Sequence, residues 1–149
     1  MSNFDEKTVD RIKRLEKEVE RLRVKEKQVF VPLTTPLTST SWDGDGYSTV
    51  GRTKIDLSSV FGVPDGIKAV LLSVKVRDSA SQTSDTYIVL GPTNTAGNGV
   101  AVNPQYTNDR YNRVVIVVPC DSNGDIYYDI TASGTGTFDV IMQVFGYWL

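Results

Sequence analysis

Apolar residues in the first thirty positions recur in steps of three and four. With Ile12 at heptad position a, Leu15 falls at d, Val19 at a, Leu22 at d, Glu26 at a and Val29 at d. Running backward, Asp5 takes a and Thr8 takes d, so the stripe is strongest across residues 9 to 24. Nearly every flanking position is charged. This spacing predicts an amphipathic helix that cannot continue through Pro32. A lone helix of such length is marginal in water, and its narrow stripe suits self-association better than cover for a large core.

From Gln28 onward the period changes from heptad to two. Val29 to Leu33 leaves the helix. Across Ile67 to Asp78, Val70, Leu72, Val74 and Val76 alternate with Ser73, Lys75 and Arg77. Tyr87 to Leu90 is a short strand. Ile126, Tyr128 and Ile130 share one face, and Phe138, Val140, Met142 and Val144 form a last inward row opposite Ile141 and Phe145. Val114 to Val118 is apolar on both faces. Such two-sided strands either lie inside a two-layer core or turn one face to another copy of the chain. Gly, Ser, Thr, Asn and Asp fill the linkers, as turns require. The pattern predicts an all-β head, a β-sandwich or jelly roll spanning 29–149, behind a helical coiled-coil arm spanning 1–28.

Charge sharpens that boundary. Of 34 charged side chains, 16 lie between Asp5 and Lys27, and no glutamate follows Glu26. Glutamate suits helices, whereas aspartate suits turns and strand ends. Basic and acidic residues interleave along the arm, so no basic stripe addresses nucleic acid. No apolar run is long enough to span a membrane, and no signal peptide is recognisable, so the expectation is a soluble protein made in a cytoplasm. Histidine is absent, which removes the commonest general base, the serine and cysteine triads and the main zinc ligand. The expectation is a non-enzymatic protein without cofactor or metal. The single cysteine, Cys120, follows a valine-rich run and reads as a small buried hydrophobe.

The number of strands in the coil is open at this level. Ile or Val at a with Leu at d favours dimers. Against that, Arg11-Ile12-Lys13-Arg14-Leu15-Glu16 matches the pattern R-h-x-x-h-E of short trimeric coiled coils, where h is apolar. Arg11 sits at g and Glu16 at the following e. The arginine of one chain can reach its neighbour's glutamate while its stem covers the seam. A helix packed on its own domain is the third arrangement. The oligomerisation residues are therefore Arg11, Ile12, Leu15, Glu16, Val19 and Leu22, and the expected partner is the chain itself.

Candidate ligand chemistry lies in loops. Trp42-Asp43-Gly44-Asp45-Gly46-Tyr47 sets two carboxylates among glycines and aromatics, which suits a sugar, a hard cation or simply a tight loop. Gly91 to Asn112 is the longest irregular stretch, with Tyr106, Asp109, Arg110 and Tyr111 among many amides. Aromatic faces and amides suit carbohydrate or protein surfaces. Asp121-Ser122-Asn123-Gly124-Asp125 begins like a calcium loop, but Ile126 and Ala132 stand where glycine and glutamate are needed. Its Asn-Gly pair predicts a hairpin joining 113–119 to 125–131. The terminal Phe145-Gly146-Tyr147-Trp148-Leu149 predicts a tucked-in end.

Three stretches carry a family resemblance. RIKRLEKEVERL, SWDGDGYSTVGRTKIDLSSVFGVPDGIKAVLLSVKVRDS and TFDVIMQVFGYWL resemble the small trimeric virion proteins of tailed bacteriophages, of the tail-fibre or head-fibre type. In that family a short coiled-coil stalk carries a β-sandwich head. The resemblance implies a homotrimeric structural protein of the virion, contacting other virion proteins, whose head meets host surface carbohydrate or protein. Its runner-up is a capsid decoration protein with no receptor role, and a third class, ranked below both, is a trimeric polysaccharide-degrading tail protein. The resemblance covers neither the long shaft nor the anchoring domain of a full tail fibre, so a short fibre, a decoration protein and a fragment all fit it.

Overall fold

The computed structural model describes residues 6–24, 28–39, 42, 46–80 and 85–149. One helix, α1 (Glu6–Val24), precedes eight strands: β1 (Phe30–Thr38), β2 (Val50–Ile55), β3 (Ala69–Asp78), β4 (Tyr87–Gly91), β5 (Val100–Val102), β6 (Asn112–Pro119), β7 (Ile126–Thr131) and β8 (Phe138–Trp148). The heptad positions assigned to Asp5 and Glu26, and the loop aspartates Asp43 and Asp45, lie outside the described residues.

The strands form two four-stranded antiparallel sheets, ordered β1-β8-β3-β6 (sheet A) and β2-β7-β4-β5 (sheet B). First pairs with last, second with seventh, third with sixth and fourth with fifth. That nesting is the jelly-roll order, in which one long antiparallel ribbon rolls into two layers. The alternating residues fill the space between the layers. Val70, Leu72, Val74 and Val76 of β3 meet Ile126, Tyr128 and Ile130 of β7 and Ile88 and Leu90 of β4 in one buried cluster. Phe138, Val140, Met142 and Val144 complete it from β8.

Two strands escape the period-two reading. In β2 (VGRTKI) only the ends are apolar, and β5 is a three-residue strand inside the stretch read as one long loop. A five-residue helix, α2 (Leu57–Phe61), also lies between β2 and β3. Asp56 caps it by accepting from Ser59 N, and Gly62 closes it in the left-handed region.

The expected hairpin at Asn123-Gly124 is corrected. β6 belongs to sheet A and β7 to sheet B, so residues 120–125 form a corner between layers. The turn itself forms as its residues require. Asp121 Oδ1 accepts from the backbone N–H of Asn123 and Asp125, and Asn123 O accepts from Gly66 N. Gly124 has φ 91°, and a Cβ there would meet Gly66 N at 2.7 Å, so only glycine fits. Cys120 packs half-buried beside the core, where burial pushes its thiol up to about 12.

The two outer faces differ. On sheet B, Arg52 donates to the carbonyls of Thr93, Asn98 and Val89 and pairs with Asp129 at 2.7 Å, drawing loop 92–99 over the sheet. Val89 points away from the core yet is only 4% exposed. On sheet A only the distal part is covered, where the Tyr111 ring lies over Lys75 and Arg77. The two-sided strands divide cleanly: Val114, Ile116 and Val118 face the core, whereas Val115 is 62% and Val117 47% exposed. Ile141, Phe145 and Phe30 are exposed on the same sheet. The chain's end is partly tucked in. Trp148 stacks on Phe30 with centroids 4.5 Å apart, while Leu149 is exposed and bonds Val29 O through its backbone N–H.

Candidate functional site

Strand direction sorts the loops into two groups. β1 begins at Phe30 and pairs with the end of β8 at Trp148, so the chain arrives from α1 at one end of the sandwich, here called proximal. The described residues of loops 39–49, 79–86, 103–111 and 132–137 lie at the opposite, distal end, because β1, β3, β5 and β7 end there and β2, β4, β6 and β8 begin there. Every sequence-derived ligand candidate falls in two of these loops: Trp42 and Tyr47 in the first, Tyr106, Asp109, Arg110 and Tyr111 in the third.

Buried Asp78, at the distal end of β3, ties these loops together. Its carboxylate accepts from Ala80 N, from Ser133 N and Oγ, and from Thr137 Oγ1. Its carbonyl accepts from Asp109 N. A carboxylate taken from water needs such donors, and here four supply them. Thr137 N in turn donates to Tyr47 O at 2.7 Å, and Ser79 N to Thr137 O. Tyr47 and Asp109 both hold positive φ, 52° and 57°, fixed by these backbone bonds. Nothing local in the sequence marks Asp78 for this part, since Ser133 and Thr137 lie more than fifty residues away.

Beside this hub, Tyr111 donates its hydroxyl to Asp139 Oδ2. Arg77 bridges Asp139 and Asp109 through Nε (3.2 Å) and Nη1 (2.9 Å). Lys75 Nζ lies 3.9 Å from the centre of the Tyr111 ring. Asp109 and Tyr111 are thus occupied by neighbours within the chain. Burial, then the bond to Asp139, pushes the Tyr111 hydroxyl up to about 12. The unfolded value is about 10. A group whose folded pKa is raised contributes stability that is complete below the unfolded value. That contribution should therefore be lost between about pH 10 and pH 12. Subtracting the ultraviolet titration of Tyr111→Phe isolates this tyrosine; in Asp139→Asn its titration should move down toward the ordinary range.

The remaining candidates separate. Trp42 is half-buried and meets Tyr128 edge to face at 5.5 Å, so its ring serves the core. Tyr106 is 68% exposed and lines a shallow concavity of about 520 Å³ with Asn103, Pro104, Gln105, Thr107 and Asn112. Arg110 is exposed, and Tyr47 presents its ring to solvent. Tyr106 and Arg110 are the candidates most open to a ligand, on a platform held by Asp78, Asp139 and Arg77, which the sequence reading did not single out. Among the described residues no group of His, Cys, Asp or Glu is placed to hold a metal ion.

The second surface is α1. Ile12, Leu15, Val19 and Leu22 form the expected stripe, and every one is exposed, Leu15 at 53%. Arg11 and Glu16 flank the stripe on opposite sides and, among the described residues, form no ion pair, whereas Arg21 pairs with Glu18 at 2.9 Å. At a separation of five residues they do not face each other on one helix. Among the described residues no helix is long and apolar enough to cross a membrane. No known family model matches the chain, and no curated protein matches it.

Proposed function

We propose that this chain is a non-enzymatic structural protein of a tailed-bacteriophage particle, assembled as a homotrimer through α1, with its distal loops turned toward a host or particle surface. The observation that carries this reading is polarity. An unpartnered heptad stripe lies on the helix that leads into the proximal end, and all six candidate contact residues lie in loops at the distal end. An oligomerising stalk and a presented tip require that separation. Arg11 and Glu16, in no ion pair among the described residues, have the positions to pair across copies and favour three strands. Three weak sites on one trimer exceed the affinity of one by orders of magnitude when all engage together. The phage assignment rests on the resemblance of the stalk and the two head segments. Asp109 and Asp139 are held by Arg77 and Tyr111, which speaks against a free carboxylate pair for glycoside hydrolysis.

Light scattering should give about 50 kDa, three copies of 16.5 kDa, and a monomer at micromolar concentration would refute the assembly. Tyr106→Ala should leave folding unchanged, because the ring is exposed, and should weaken binding to host cells or their surface glycans at least several-fold through lost stacking. Unchanged cell binding, or binding only to empty capsids, would move the function from receptor contact to decoration of the shell.

A further inference from the structure

We infer that the apolar, proximal part of the outer face of sheet A is the surface through which the heads of neighbouring copies pack. The inference rests on the trimeric reading and adds to it a second, head-to-head interface. Leu71, Val115, Val117, Ile141, Phe145 and Phe30 lie on this sheet with their side chains away from the core, and all but half-buried Leu71 are exposed. Sheet B shows what the fold does with an outer face it keeps to itself: it lays a loop and Arg52 over it. On sheet A, Tyr111 lies over Lys75 and Arg77 at the distal end, but among the described residues nothing comparable covers exposed Val115 and Val117.

Two features select another copy as the occupant. First, the apolar part of the face lies at the proximal end, where the chain arrives from α1: Leu71 pairs with Val117 there, and Phe30 opens β1. Phe30 leads to exposed Val29, which is heptad position d of the same stripe as Leu15 and Leu22. Second, the tether is short. Val24 and Gln28 are four Cα steps apart, about 15 Å at most. Packed helices lie about 8–10 Å apart, so bundling α1 brings the starts of the heads within a few tens of ångströms of one another. Heads of about 120 residues are roughly 35 Å across, so each sees the others at an effective concentration in the millimolar range or above. At that concentration the apolar proximal half of the sheet face finds its like before any other partner.

Thiol accessibility in the full chain tests this. In a Cys120→Ser background, Val117→Cys reports sheet A and Thr53→Cys, exposed on β2, reports sheet B. With trimer mass confirmed on the same sample, Val117→Cys should react with a maleimide at least about tenfold more slowly than Thr53→Cys. A bismaleimide should then link copies through position 117 and not through position 53. Equal reactivity in a trimer would overturn the interface and leave the helical assembly standing. Shielding without any link between copies would assign the cover to the chain's own α1 and also overturn it. A monomer would remove both this interface and the assembly.

Discussion

Arg52→Ala should lower the unfolding free energy of the head by about 3–5 kcal/mol, the cost of leaving a buried charge without its partner. The Arg52 side chain is 5% exposed, and its removal strands Asp129 on the outer face of sheet B. It also removes the donor for the carbonyls of Thr93, Asn98 and Val89. Loop 92–99 then loses its hold, and Val89 becomes exposed to water. Asp129→Asn should cost less, because the guanidinium keeps its three carbonyl partners. Urea titration of the three proteins should rank them wild type, Asp129→Asn, Arg52→Ala from most to least stable. An Arg52→Ala protein as stable as wild type would show that the clamp is dispensable.

Leu15→Asp should convert the proposed trimer to a monomer of 16.5 kDa at micromolar concentration. Three carboxylates would enter one dry seam, each costing several kcal/mol of desolvation. The helix should melt with the assembly, because nineteen residues alone are marginal in water. The head's strands should persist in circular dichroism, since α1 contributes no side chain to the buried core. Lys17→Asp, at the outward f position, is the matched control and should leave the mass at about 50 kDa. Arg11→Ala should shift the balance only modestly, by about 0.2–1 kcal/mol per pair, because exposed ion pairs choose between states more than they create them. A trimeric Leu15→Asp protein would place the assembly contact in the heads alone.

Strands whose inward residues alternate were legible from the chain. β3, β7 and β8 each show a row of valines, isoleucines or aromatics at every second position, and each lies in the core. β2 was not legible for a physical reason. Its middle carries Arg52 and Lys54, and Arg52 is buried only because loop 92–99, some forty residues later, closes over it. The Asn-Gly turn was legible as a turn but not as a corner. Local turn chemistry is the same for both, and the eight register pairs between β3 and β6 decide which layer β6 joins. The candidate loops could be named one by one. Their meeting at one end could not, because it follows from the rolled pairing of first strand with last. Tyr106 and Tyr111 look alike in sequence; one is open to solvent, while the other is held by Asp139.

The pairing of β1 with β8 also sets how the molecule would carry a load. A pull transmitted through α1 enters at Phe30, where β1 begins, and is resisted by whatever the distal loops grip. That force runs along the strand axis, while the antiparallel hydrogen bonds between β1 and β8 lie across it. The bonds are therefore strained together, in shear, instead of being peeled apart singly from a frayed end. The stacked rings of Phe30 and Trp148 sit where the tension arrives, like a rivet at the head of a seam.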